Sequence, residues 1–531
     1  MSGLRFSLPV CCVALALGGL VLAVALVPAP PLLDYPNHFA RLWLLAGGIE
    51  AAPLATIYAI DWSLAWTNIG IDVLAAVIAP YVGMAIFGPF LIAAALVLPP
   101  LGAVLLHRSL FGGWHWWQAG FACLAWNSTF LAGFLSFQIG LGIALLAAAA
   151  DANLRRRVGR RWAMPVRAAV CGVLLIFHVF AAAFYAALLT GLAFGAVRQQ
   201  LPRGFALAAA RGLAVGGISL AVPLLIFLNM APVVPGGHAP PGVFDIWHGY
   251  SVANKVVTLM SAVTTYDFRI DMAFVLALWA VARVMPGRTA IMGHAGLLLV
   301  AGGLALFALG VPSVLAGTAG VDWRFPVMAV LTLVAAVRPG FRTARAGHWA
   351  ACALLALTLL RTGWITTIWI DRSADGASVA RAAAYVPAGA AVFPAQNIPP
   401  DLASAPRGRY LLGNLPSFWH YPSYLVPWRQ AFVPTLFTAR GKQPLHVLPP
   451  WDMIAVAEGM PAPVSFLTWF EPTPGQLYYS GYVVNWRARF DYVLVLNADM
   501  PAAPGQAPVP PDLELVADEG FARLYRIPRS R

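Results

Sequence analysis

LPVCCVALALGGLVLAVALVPA, from Leu8 to Ala29, and then LDYPNHFAR, from Leu33 to Arg41, form the stretch on which the fold turns. The first part carries no charge and is long enough for the roughly 20 apolar residues that a helix needs to cross a bilayer. It is long for a signal-peptide core, and we read it as a retained span with Arg5 on its cytoplasmic side. The second part sets an acid, a histidine and an arginine just outside that span. From Asn37 to Leu45 the apolar residues line one face of a helix suited to lie on the membrane. An acid at such an interface can take a proton from a hydroxyl while lipid-phase groups sit within reach. Low-dielectric surroundings raise its pKa, which suits a general base. The same residues also fit a plainer reading, with Asp34 capping the following helix and Arg41 anchoring it to headgroups.

Composition widens the membrane reading to the whole chain. Of 531 residues, 60% are hydrophobic and only 10% are charged. A water-soluble fold cannot hide so much apolar surface or solvate itself with so little charge, and a disordered chain needs low hydrophobicity. The net charge of +13 sits largely in arginine clusters between apolar runs: Arg155 to Arg167, Arg198 to Arg211, and Arg338 to Arg345. That pattern fits cytoplasmic loops beside anionic membrane lipid rather than a nucleic-acid partner. The five cysteines all lie in apolar stretches without CxxC spacing, so neither a disulfide framework nor a zinc set is expected.

Working along the chain, the apolar run from Ile69 to Leu106 is about twice a single span and should turn near Gly83 or Gly88-Pro89. Trp114, Trp116 and Trp117 suit an interfacial belt. Ala119–Ala150 and Val166–Val197 each read either as two short helices or as one broken helix. Further spans are expected over Phe205–Met230, Met272–Val284, Ile291–Leu309, Phe325–Val337 and Trp349–Ile370, about ten or eleven helices in all. After Ile370 charges, prolines and aromatics take over. Ala391–Phe393, Tyr492–Asn497, Leu513–Ala517 and Ala522–Ile527 read as strands, the last two as a hairpin through Asp518-Glu519-Gly520. The expected architecture is an all-α polytopic membrane domain over 1–370, carrying an external loop 30–66, and a C-terminal α/β domain over 371–531. With Arg338 to Arg345 in the cytoplasm, one span carries that domain to the extracytoplasmic side.

An acid directly after the first span, in a long external loop with an amphipathic helix, resembles the GT-C glycosyltransferases, polytopic enzymes that use polyprenyl-phosphate-linked sugars. The string Asp34-Tyr35-Pro36-Asn37-His38-Phe39-Ala40-Arg41 looks like one form of that first loop in bacterial members. Trp66 to Asp72, Gly133 to Gly140, Asp491 to Val495 and Leu524 to Ile527 resemble further landmarks of the group. The resemblance implies sugar transfer from a polyprenyl-phosphate donor to a glycan, lipid or protein acceptor, on the outer face of the bacterial cytoplasmic membrane. Asp34 is then the general base. The family often shows two acids close together here. Tyr35 follows Asp34, and the next acids are Glu50 and Asp61, so no obligatory metal or other cofactor is expected, although Mg²⁺ needs few protein ligands.

A phosphate-bearing donor calls for cations, which steady the leaving phosphate. The external candidates are His38, Arg41, His248, Lys255, Arg269 and Arg324. Arg324 stands at the mouth of a span, where it also fits a snorkelling arginine or a pair with Asp322. His178 and Asp72 fit helix–helix hydrogen bonds or caps, and Gly133 and Gly140 fit close helix packing. The aromatic string Phe418, Trp419, His420, Tyr421, Tyr424 and Trp428 can stack on sugar rings, rest on the membrane or fill a core. No Walker loop, HExxH, Gly-x-Ser-x-Gly or kinase string is present. The rival function is a transporter or flippase of lipid-linked glycans, for which repeated halves are the usual sign; none is evident. A non-catalytic scaffold is the third reading.

Overall fold

The computed structural model describes residues 7–231, 252–284, 291–315, 318–341, 343–411, 414–471, 473–501, 505 and 507–528, with backbone alone for 152–158, 160, 252–254 and 282–284. His248, one of the expected cations, lies outside the described residues. The chain divides into two compact units. A helical unit takes Met1–Leu26, Phe90–Ala231 and Gly249–Thr367, and the described residues of the other come from Val27–Pro89 and Ile368–Arg531.

Among the described residues five helices are long and apolar enough to cross a bilayer: Leu8–Leu26, Met84–Phe111, Val179–Gln200, Phe205–Met230 and Ala344–Ala383. The chain is an integral membrane protein. Gly70–Val82 and Ala295–Gly310 are apolar but shorter. The doubled run breaks at Gly83, whose φ of +77° an L side chain rarely adopts, between the Gly70–Val82 and Met84–Phe111 helices. The first ambiguous stretch resolves into a 3₁₀ segment Trp116–Ala125, a short helix Ser128–Leu131 and the helix Leu135–Val158. Asn127 caps the short helix by accepting the Phe130 N–H, and Gln138 donates to the same oxygen at 2.9 Å. The second resolves into Arg160–Phe177 and Val179–Gln200, parted at His178, whose Nδ1 accepts the Phe180 N–H at 3.2 Å.

Inside the helical unit Leu141, Leu145, Phe184, Leu188, Met328 and Leu331 belong to one buried cluster. Small residues set the closest crossings, as expected for helices that gain little from hydrophobic burial against lipid. A Cβ on Gly296 would stand 1.9 Å from the Gly191 carbonyl oxygen, and one on Gly140 would stand 2.8 Å from the Ala181 Cβ. Gly133 instead serves a turn, with φ +83° just past the Ser128–Leu131 helix.

The second unit is built on a five-stranded sheet. Ala462–Pro463, Val392–Gln396 and Tyr492–Leu496 run parallel, then Ala522–Arg526 and Glu514–Asp518 follow antiparallel. Val392–Gln396 and Tyr492–Leu496 are buried along their whole length, which is why they read as continuous apolar runs. The expected hairpin forms with Gly520 at φ +75°. No separate helix begins after Ile370 among the described residues of this part of the chain up to Ala383. Ala344–Ala383 runs through without a proline, and Val379, Ala382 and Ala383 join the core of this unit.

The grouping of the first loop differs from the sequence expectation. Tyr58–Ile60 pairs antiparallel with Leu445–Val447, and Ala40, Leu44, Leu54 and Ile57 lie in one core with Phe393, Phe432 and Leu494. Strand pairing across nearly 400 positions cannot be seen in either segment alone, so the loop looked like an appendage of the spans. It is part of the C-terminal unit.

A candidate active site around Asp34

Asp34 precedes the helix Tyr35–Leu45, which forms because Pro36 suits a first turn and Leu42, Leu44 and Leu45 supply an apolar face. This helix does not lie on a surface: Tyr35, Asn37, His38, Ala40 and Arg41 are all buried within the C-terminal unit. Asp34 stands at the N-cap position with φ −87° and ψ −11°, and its side chain makes no cap hydrogen bond. A capping side chain turns back on the helix from β-region backbone; Asp34 has αR backbone and does not do so. The plain capping reading therefore does not account for this acid.

The carboxylate is 18% exposed and has Nε2 of His420 at 3.5 Å from Oδ1. One turn on, Asn37 fixes the state of that imidazole. Its Oδ1 accepts the Phe437 N–H at 2.7 Å, so the amide nitrogen must be the atom that meets Thr435 O at 2.9 Å and His420 Nδ1 at 3.2 Å. Nδ1 of His420 is then an acceptor, and the ring proton sits on Nε2, facing Asp34. Burial pushes His420 down to about 3, so the ring is neutral at physiological pH. Phe437 packs edge-on against both His420 and His38, at 4.8 and 5.7 Å between ring centres. Tyr35, Phe39 and Tyr424 continue this wall, and burial pushes the Tyr35 and Tyr424 phenols up.

Arg41 differs from its expected role as a headgroup anchor or phosphate contact. It is fully buried, with Nε 2.6 Å from Asp72 Oδ1 and Nη2 3.1 Å from Oδ2. This two-point pair spans 31 residues and ties the Tyr35–Leu45 helix to the Gly70–Val82 helix. Asp72 is thus the partner of Arg41 rather than only a helix cap.

The other expected cations belong to the helical unit. Lys255 is buried and donates to Val311 O at 2.7 Å and Asp322 Oδ2 at 2.8 Å. Ser313 donates to the same Asp322 oxygen at 2.7 Å, so the acid expected beside Arg324 holds Lys255 instead. Arg324 is also buried rather than snorkelling. Its Nη1 donates to Ala319 O at 2.7 Å, and its guanidinium lies 4.4 Å over the Phe134 ring and 5.6 Å from those of Phe137 and Phe180. Arg269 is exposed at the start of the helix Phe268–Val284.

Most of the aromatic string turns out to be core. Phe418, His420, Tyr421 and Tyr424 are buried, Trp419 donates to Gln396 Oε1 at 3.1 Å, and Trp428 stacks on Tyr424 with 38% of its surface exposed. Sequence reasoning missed two members of the site. Asn37 stood inside the motif without a role, and His420 was grouped with the aromatics; their bond spans 383 residues, and no local pattern announces it. Among the described residues no group of three or more His, Cys, Asp and Glu side chains is placed to hold a metal ion.

No protein-family model matches the chain, and no curated protein matches it. Among solved structures it is similar to ArnT from Cupriavidus metallidurans bound to undecaprenyl phosphate, at 12% identity and a TM-score of 0.48, over 98% of each chain.

Proposed function

We propose that this protein is a membrane glycosyltransferase of the GT-C kind, moving a sugar from a polyprenyl-phosphate donor to an acceptor hydroxyl on the outer face of the cytoplasmic membrane. The observation that carries the reading is Asp34: a partly exposed carboxylate, not used as a helix cap, held against a neutral imidazole whose tautomer Asn37 fixes. A neutral neighbour brings no positive charge that would weaken the acid as a base. The spans supply the lipid phase that a polyprenyl donor needs.

In this mechanism Asp34 takes the proton of the acceptor hydroxyl. The acceptor oxygen attacks the anomeric carbon, and the bond from that carbon to the phosphate oxygen breaks with its electron pair. The lipid phosphate leaves as an anion, and the attack from the opposite face inverts the sugar. Arg324 and the exposed Arg269 are the proposed phosphate contacts, with Arg324 oriented by Ala319 O and the Phe134 face. His38 stays a candidate for the acceptor side, while Lys255 holds Asp322 in place and Arg41 positions the acid-bearing helix. The mechanism is drawn without an obligatory metal. The acceptor is a glycan, lipid or protein hydroxyl.

The test is direct. The purified chain in lipid, given polyprenyl-phosphate sugars labelled in the sugar, should release label from the lipid, and Asp34→Asn should not. Equal release by both proteins would remove Asp34 from the chemistry. No release from any donor of this class by the wild type would overturn the function.

A further inference from the structure

The helical unit holds a cleft of about 450 Å³ that has no part in the proposed transfer. Its walls come from chain ends: Pro9 at the start of the first span, the 114–116 segment, Arg338, and the first turns of the Ala344–Ala383 helix. None of the residues that line it is an Asp or a Glu, whereas His115, Arg338 and His348 all do.

Hydrogen bonds fix two of the donors in the cleft. His115 Nδ1 accepts the Trp117 N–H at 3.3 Å, so its proton is on Nε2. Burial and then the nearby Arg338 push His115 down to about 4, which keeps it a neutral donor. Arg338 Nη1 donates to Phe111 O at 2.9 Å, which fixes the guanidinium in the wall. The Trp116 indole N–H is buried and meets no acceptor among the described residues, and an orphaned buried donor calls for an explanation. Thr343 caps the 40-residue helix by accepting the Ala346 N–H, and Ala344 and Gly347 of its first turns line the cleft. Helix N-termini favour anions through their N–H groups and dipole.

The remaining wall is aromatic. Trp116 lies 4.7 Å from the Phe341 ring, and the Arg108 guanidinium sits 4.1 Å over Trp114. Gly347 makes room for this, since a Cβ there would stand 3.2 Å from Trp116 Cδ1. Amphipathic rings of this kind gather at the headgroup level of a bilayer. Arg338 lines the cleft, and it belongs in sequence to the arginine cluster that the positive-inside rule puts in the cytoplasm, beside a leaflet rich in anionic lipid.

We propose that the Trp116–Arg338–Gly347 cleft is a binding site for a phosphate group, presented by an anionic lipid headgroup or as the free ion, separate from the donor site. The basic and N–H donors meet the phosphate, and the rings flank the ester or glycerol part.

The full-length protein, stripped of lipid in a neutral detergent, is titrated with phosphatidylglycerol, with phosphatidylcholine and with inorganic phosphate. Bound molecules are followed by native mass spectrometry. Saturable phosphatidylglycerol binding in preference to phosphatidylcholine identifies the lipid as the source. Inorganic phosphate binding without lipid binding identifies the free ion. Arg338→Gln should weaken either ligand at least tenfold, Gly347→Leu should fill the space and abolish it, and Trp116→Phe, which removes the orphaned N–H with part of the ring, should cost about fivefold. Unliganded melting temperatures of Trp116→Phe and Gly347→Leu within a few degrees of wild type show that the fold is kept. Binding unchanged in all three variants, or no saturable binding of either ligand by the wild type, overturns the proposal.

Discussion

Among the described residues the two units hold buried charge in close ion pairs, and in each one group also shows contacts of another kind. In the helical unit Lys255 is locked on Asp322, and Arg361 lies 3.0 Å from Asp271, while Arg324 rests on a carbonyl and three aromatic faces. In the C-terminal unit Arg41 is locked on Asp72, and Arg409 is held by Asp375 and Asp499, while Asp34 faces a neutral histidine. Arg41 and Arg409 meet their acids at two points, Lys255 and Arg361 at one, and these pairs offset their desolvation while fixing elements distant in sequence. A carboxylate set beside a neutral imidazole and a guanidinium set on π faces keep the character that proton transfer and phosphate binding use.

The first way to break this comparison is Asp34→Asn. Asn has the same size and caps as well as Asp, and Asp34 makes no side-chain cap in any case. Yield and melting temperature should stay at the wild-type values while label transfer falls about 10²–10⁴-fold, the usual worth of a general base. Asp34→Glu should recover little of it, because a displacement of about 1 Å can cost 10²-fold. Full activity in Asp34→Asn would remove Asp34 as the base, whereas a wild type that transfers no label would shift the function toward a transporter of lipid-linked glycans.

Asp72→Ala tests the other half. It strands the buried Arg41 guanidinium, and losing one partner of a buried pair costs about 3–5 kcal/mol. The expected result is a large fall in unfolding midpoint, with the donor KM unchanged in whatever protein stays folded. A normal midpoint with a raised KM would return Arg41 to the phosphate site. In the helical unit Arg324→Ala should raise the barrier to transfer by about 1.5–3 kcal/mol, the worth of one charge-assisted contact, with Arg324→Lys restoring part of it. Unchanged kinetics would make Arg324 a structural cation held by Phe134.

What could be read from the sequence follows from the range of the interactions. Hydrophobic length alone located the Leu8–Leu26, Phe205–Met230 and Ala344–Ala383 helices, though not the count of span-length helices, and period and turn residues gave the Glu514–Asp518 and Ala522–Arg526 hairpin. Asp34 was visible because its motif is continuous. The pairing of Tyr58–Ile60 with Leu445–Val447, the Asn37–His420 bond and the Arg41–Asp72 lock were not, because each joins segments whose local patterns carry no trace of the other. The same limit misplaced the helix of the first loop. Its apolar face matched a membrane surface in sequence, but it packs inside the C-terminal unit, where Tyr421–Tyr424 and Phe437 supply the partners.

The remaining test bears most closely on the proposal that Asp34 acts as a base. His420 is held near 3, against about 6.5 for the same side chain in the unfolded chain. Between those values the unfolded chain binds a proton that the native protein refuses. Stability therefore rises with pH across this window and is complete above about 6.5. It is lost as pH falls toward 3, by up to about 1.4 kcal/mol per pH unit. His420→Gln removes the titrating group. Unfolding midpoints in mild detergent should thus converge, wild type losing ground to the variant by that slope between pH 6 and 4. The carboxylate facing the ring at 3.5 Å works against the slope by welcoming an imidazolium, so the loss should steepen when the comparison is made on an Asp34→Asn background. Parallel pH curves for wild type and His420→Gln would mean that the ring accepts its proton at no cost. His420 would then sit as a cation against Asp34, the acid would be locked in a pair like Asp72, and the contrast between the two carboxylates would fail.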